Sequence, residues 1–152
     1  MMQTLILAMA LIRNRSDEGS TWLTKWNGCR KVLEMICGQR LETESFRETV
    51  SREVAWQLDL ERNRDFLVSN MAQINLEYDD VLPGETELTH VAVSFYSVDL
   101  YRRVARERVK ANEDLIWVPS SEICAGSTAM GRSFNSVHCA LINRSKVIES
   151  WH

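Results

Sequence analysis

A chain of 152 residues, 45% hydrophobic and 26% charged, has the size and make-up of one globular domain that buries a core without disulfides or a structural metal. Its formal net charge of -3 supplies no positive field for bulk nucleic acid or an anionic membrane, although a local basic site remains open. Cys29, Cys37, Cys124 and Cys139 form no CxxC pair, and His90, His138 and His152 are not spaced with them as zinc ligands. The reading is a cytoplasmic protein with reduced thiols.

The first twelve residues are apolar, but they lack a basic leader region and a cleavage site before Arg13 and are too short for a membrane helix. Leu5 to Ile12 is therefore expected to be a buried strand, bounded by the polar stretch Arg13 to Ser20 with a turn at Glu18-Gly19. Thr21 to Lys25 reads as a return strand, and Lys31 to Ile36 as a third apolar segment ending at Gly38. The period then changes. Phe46, Val50, Val54 and Leu58 recur every fourth residue, which predicts a helix over 43–58 capped by Thr43 or Ser45. Acidic Glu44 suits the positive end of its dipole.

Phe66 to Tyr78 and Glu87 to Leu100 read as two longer strands joined at Pro83-Gly84. Tyr101 to Ala111 is basic and is expected to be a short helix or a loop. Leu115 to Val118 is a brief strand stopped by Pro119. Ser133 to Trp151 predicts a C-terminal helix with Val137, Ala140, Leu141, Ile148 and Trp151 on one stripe. No repeat, low-complexity tract or linker divides residues 1–152, so one α/β domain with a mixed sheet is expected.

The stretch from Gly38 to Leu60, GQRLETESFRETVSREVAWQLDL, resembles the Nudix box, G-x5-E-x7-R-E-U-x-E-E-x-G-U, where U is a bulky aliphatic residue. Gly38, Glu44, the Arg52-Glu53 pair, Val54 and Leu60 fit it. Trp56 and Gln57 stand where the pattern has paired glutamates, and Asp59 where it has a late glycine. A strand-turn-strand before the box, Glu113 ahead of Trp117, and a C-terminal helix extend the likeness over most of the chain. The resemblance implies a Nudix-type α/β/α sandwich of the MutT-like superfamily, in which dimers are common. It also implies a pyrophosphohydrolase that uses Mg2+ or Mn2+ on a nucleoside diphosphate linked to another group. Magnesium requires hard oxygen ligands, and helix positions three and four apart share a face. Here that face carries Glu53, Trp56 and Gln57, which leaves Glu53 as a weak metal ligand by itself.

Arg52 and Glu53 are the expected catalytic residues if hydrolysis occurs, with Gly38, Glu44, Trp56, Gln57, Trp22 and Lys25 as ligand-binding positions. Each also has a plainer reading. Arg52 is set to pair with Glu48 one turn away, and Glu44 to act only as a charge at the helix start. Trp56 has three readings: an apolar plug in the metal cleft, a platform for a planar ligand, or a dimer contact. Trp22 and Trp26 flank Lys25 and either sandwich a base or pack in the sheet. Arg102, Arg103, Arg106, Arg108 and Lys110 form a basic run, solvated or phosphate-binding. Glu48, Glu77, Glu85, Glu87 and Glu113 are the acids that could replace lost metal ligands. His90 and His138 read as structural.

Three functions follow. The first is a binder of a nucleotide-like small molecule or a protein partner, with little metal-dependent hydrolysis. The second is an active pyrophosphohydrolase with relocated ligands, and the third is a structural dimeric module.

Overall fold

The computed structural model describes residues 2–149. Strand β1 (Gln3–Leu11) shows why its sequence is a continuous apolar run. Leu7, Met9 and Leu11 enter one core cluster, while Ala8, Ala10 and the adjoining Ile12 enter a second on the opposite face. A strand buried on both sides loses the polar half of its alternation. β2 (Arg13–Ser16), β3 (Gly19–Asn27) and β4 (Val32–Gln39) follow. Next come helix α1 (Phe46–Leu58), β5 (Leu67–Val68), β6 (Ile74–Val81), β7 (Leu88–Asp99) and α2 (Arg103–Ala111). β8 (Leu115–Pro119), α3 (Ser120–Ala125) and α4 (Ser136–Ser145) complete the order.

The strands run β2-β3-β4-β1-β7-β5, with β6 also on β7 and β8 on β3. β1 is parallel to β7 and antiparallel to β4, so the sheet is mixed. Val50, Val54 and Leu58 of α1 and Ala105 and Val109 of α2 cover one face. Ile123 of α3 and Leu141 and Ile142 of α4 cover the other. This is the expected α/β/α sandwich, and two separate cores hold it.

Four elements differ from expectation. Arg13 to Ser16, expected only as a polar stretch ahead of the turn, is an edge strand, hairpinned onto β3 from Arg13↔Trp22 to Ser16↔Gly19. Its residues are all polar, so no hydrophobic alternation marked it. The strand expected over Phe66 to Tyr78 is broken. The Arg47 guanidinium, from α1, donates to the carbonyls of Val68 (2.8 Å) and Ser69 (3.0 Å), and the Ser69 hydroxyl donates to Met71 O, which turns the chain away. Pro119 stops β8 but also opens α3, which had no sequence signal of its own. α4 is shorter than Ser133 to Trp151. Asn135 caps it by accepting from the amides of Val137 and His138, and Lys146 ends it in the left-handed conformation at φ 57. Trp151 lies outside the described residues. The basic run after β7 forms the helix α2, not a loop.

Candidate functional site

Glycine at position 38 and the helix beginning at Phe46 bring the box residues together. Ser45 is the N-cap. Its hydroxyl accepts from the Glu48 amide while the Glu48 carboxylate accepts from the Ser45 amide, a reciprocal capping box. Glu48 is thereby committed to the helix start, and the expected Arg52–Glu48 ion pair does not form. Arg52 reaches Glu44 instead, with Nε to Oε2 at 2.7 Å and Nη2 to Oε1 at 3.0 Å. The planar fork of guanidinium and the two carboxylate oxygens match, and this geometry outcompetes a single contact one turn away. Glu44 is not in the first helical turn. It sits in the loop before α1 and also accepts from the Leu41 amide and the Thr49 hydroxyl.

The Arg52 hydrogen bond, foremost, holds the Glu44 carboxyl down to about 2, against 4.5 for an ordinary glutamate. A pKa lower in the folded state than in the unfolded chain means that the unfolded chain takes up protons first on acidification. The contribution of Glu44 is therefore complete above about pH 4.5 and fades as the pH falls towards 2. Thermal melts between pH 6 and pH 2 should show the wild type losing more stability than Glu44→Gln across that window. Parallel curves would mean that the pair contributes nothing.

Glu53 lies one residue beyond Arg52, on the sheet side of α1, and is only 8% exposed. Gly38 receives it: a β-carbon at position 38 would lie 2.5 Å from Glu53 Cγ and 2.6 Å from Cδ and Oε2. The glycine is thus required by close packing of strand and helix, with Gly38 paired to Ala8 inside the sheet. Arg52 Nη1 stands 3.5 Å from Glu53 Oε1, and Gln57 Nε2 donates to Cys37 O at 2.9 Å and lies 3.5 Å from Glu53 Oε2. The amide at 57 is therefore a donor that ties α1 to β4, a role that a carboxylate could not fill.

Trp56 is 78% exposed, which excludes its reading as a plug in the metal cleft. Its ring is the shared wall of two clefts. One is lined by Arg52, Glu53, Ala55 and Arg62, the other by Lys25, Trp26, Asn27, Gly28, Glu34 and Gln57. Asp59, at the glycine position of the box, takes the left-handed C-cap at φ 54, a conformation glycine adopts freely and aspartate tolerates.

Of the two readings of Trp22 and Trp26, packing in the sheet is the one their surroundings support, because successive strand residues face opposite ways and both rings lie against the core on the side away from Lys25. Lys25 turns to the α1 side, where Nζ donates to Gln57 O at 3.5 Å. Trp22 turns to the other core, is 0% exposed and donates from Nε1 to the Ser120 hydroxyl at 2.8 Å, so it meets no ligand. Trp26 packs on that same side beneath the Arg132 guanidinium and also contributes to the lining of the Lys25 cleft. Glu34, Asn27 and Arg62 were missed. Glu34 had a signal, a charged residue in an apolar strand on the same face as Gly38, and it accepts from Asn27 (2.9 Å) and Asn135 (2.7 Å).

Mg2+ or Mn2+ does not fit these residues. Glu44 is saturated by donors, Gln57 is tied by its amide nitrogen to Cys37 O, Trp56 presents carbon, and each Glu34 oxygen accepts from an asparagine amide, which leaves Glu53 beside a cation. Glu77 is hydrogen-bonded to His90 on β7, and neither it nor Glu48, Glu85, Glu87 or Glu113 lines the clefts beside Trp56. Among the described residues no three acidic, histidine or cysteine side chains group to hold a metal ion. His138, half-buried and held neutral by desolvation at about 4, accepts from the Met35 amide at Nδ1 (3.2 Å) and contacts Cys37 Sγ at 3.4 Å, stitching α4 to β4. Burial also raises the Cys37 thiol, so this pair holds no thiolate.

A mixed sheet between two helical layers, with a strand-loop-helix seated glycine against glutamate, defines the Nudix fold, and this chain has it. Solved structures of that fold match along nearly the whole length. The NrtR protein of Shewanella oneidensis matches at a TM-score of 0.60 and 14% identity over 92% of this chain and 60% of its own. The Nudix hydrolase RenU of M. smegmatis matches at 0.58 and 12%, over 96% of this chain and 86% of its own. The Ap4A hydrolase of C. elegans matches at 0.53 and 9%, over 99% and 97%. The chain thus spans about 60% of the length of NrtR. At these identities what is shared is the fold. No protein-family model and no curated protein matches the sequence.

Proposed function

We propose that this chain is a nucleotide-binding member of the Nudix superfamily with a degenerate box, in which Arg52, Glu53 and Gln57 no longer perform metal-dependent pyrophosphohydrolysis. The observation that carries the reading is the exposed Trp56, set as the wall between two clefts on the helix face that in the box pattern carries paired glutamates. A flat, solvent-facing indole offers stacking area to a base. Lys25 on one side and Arg52 and Arg62 on the other are cations placed for a diphosphate. The Lys25 cleft measures about 360 Å³, room for a nucleoside. That NrtR of Shewanella oneidensis has been solved with a 27mer DNA is a property of that protein, and the net charge here does not favour a duplex.

The retained Gly38–Glu53 contact and the Glu44–Arg52 pair act in this reading as scaffold. They fix the helix so that positions 56 and 57 face the clefts. Thermal shift with ADP tests it. Saturating ADP, at about one hundred times its dissociation constant, should add about 2.7 kcal/mol without any divalent ion. Trp56→Ala should lower that gain. A shift that appears only with Mn2+ would instead favour the hydrolase with relocated ligands. No shift under either condition overturns the reading.

A further inference from the structure

The basic run of α2 divides by face, and one part of it enters a second cleft. Arg102 pairs with Asp65 at 3.3 Å, Arg103 with Glu107 at 3.0 Å, and Arg108 Nη1 donates to Asp59 O at 3.1 Å. Arg106 and Lys110 are one helical turn apart and line a different space, of about 480 Å³, with Arg13, Asn14, Asp99 and Trp117. Ile12 and Leu100, both buried, form its floor. Arg106 Nη1 donates to the carbonyls of Leu100 (2.9 Å) and Tyr101 (3.0 Å), which fixes the guanidinium and leaves its other nitrogens without a protein partner among the described residues. Lys110 has no partner among the described residues.

We propose that this cleft, formed by α2, the start of β2, the end of β7 and the Trp117 edge of β8, is a separate nucleotide site that takes a base against Trp117 and its phosphates against Arg106 and Lys110. Three cations face one carboxylate in a chain whose net charge is -3, so the cleft is a local positive region. A guanidinium held in place by backbone carbonyls is preorganised for a phosphate, because little side-chain freedom remains to be lost on binding. The half-buried Trp117 ring supplies the planar surface, and Asn14 and Asp99 supply an amide and a carboxylate for the polar edge of a base. The volume lies within the usual range for a small-molecule site. Nothing in this inference depends on the Trp56 clefts.

Calorimetry with ADP on the whole chain separates the two sites. Lys110→Glu, at an exposed position, should weaken ADP binding by about tenfold or more, since it replaces a phosphate partner with a like charge. Arg103→Glu changes the same charge on the same helix outside the cleft and should alter affinity by no more than about twofold. Equal losses from both variants would show a general field effect and overturn the site. Loss of ADP binding in Trp56→Ala but not in Lys110→Glu would overturn this inference and leave the preceding reading standing. Loss in Lys110→Glu but not in Trp56→Ala supports this cleft against the other. Absence of ADP binding to the wild type overturns both.

Discussion

Gly38→Ala is expected to destabilise the protein by about 1–3 kcal/mol, the usual cost of forcing an extra carbon into a packed interior. In a domain of this length each kcal/mol corresponds to roughly 2–4 °C of melting temperature, so the loss is easily read. The β-carbon would lie 2.5 Å from Glu53 Cγ, well inside van der Waals contact, and Glu53 cannot simply swing away. It is 8% exposed, with Arg52 on one carboxylate oxygen and Gln57 by the other. Moving it strips a buried charge of its nearest cation, which adds to the steric cost. A double-mutant cycle separates these causes. Glu53→Ala alone opens space, and in its background Gly38→Ala should cost markedly less. Additive losses would mean that strand and helix are not in contact at this point.

On the proposed reading, giving the box its paired glutamates is expected to create a metal site in a chain whose described residues group no three candidate ligands. In Trp56→Glu/Gln57→Glu, positions 53, 56 and 57 would present three carboxylates on one helix face. Mn2+ affinity should rise by at least about tenfold, because oxygen ligands and negative charge are both supplied. Without metal the same variant should be less stable than wild type by about 1–2 kcal/mol. The amide that donates to Cys37 O at 2.9 Å is replaced by a group that cannot donate, and like charges are crowded together. Added Mn2+ should reverse that loss by mass action. Trp56 contributes little to stability by itself, being 78% exposed, so the penalty should follow Gln57→Glu in the single variants.

The fold was legible because its strongest signals are periodic. The four-residue repeat of Phe46, Val50, Val54 and Leu58 gave α1, and the two-sided apolar run of β1 gave the centre of the sheet. Elements without periodicity escaped: the polar edge strand β2, and α3, hidden behind a proline that ends one element and starts another. In the site, spacing placed Glu53, Trp56 and Gln57 on one face, as a helix must. It could not say which carboxylate Arg52 would choose, since the loop that brings Glu44 back over the helix has no local sequence code. Nor could it show that Trp56 points into solvent. For Trp22 and Trp26 the sequence left two readings open, and the two-residue strand repeat favours packing in the sheet: positions 22 and 26 are even and 25 is odd.

Titration of Mn2+ into the wild-type chain at neutral pH, followed by calorimetry, bears most directly on whether this helix face holds dications. With Arg52 3.5 Å from Glu53, and the Glu34 carboxylate across the cleft already accepting from Asn27 and Asn135, no saturable site tighter than about 1 mM is expected. A micromolar site that disappears in Glu53→Gln would contradict the account and return the protein to the metal-dependent hydrolases.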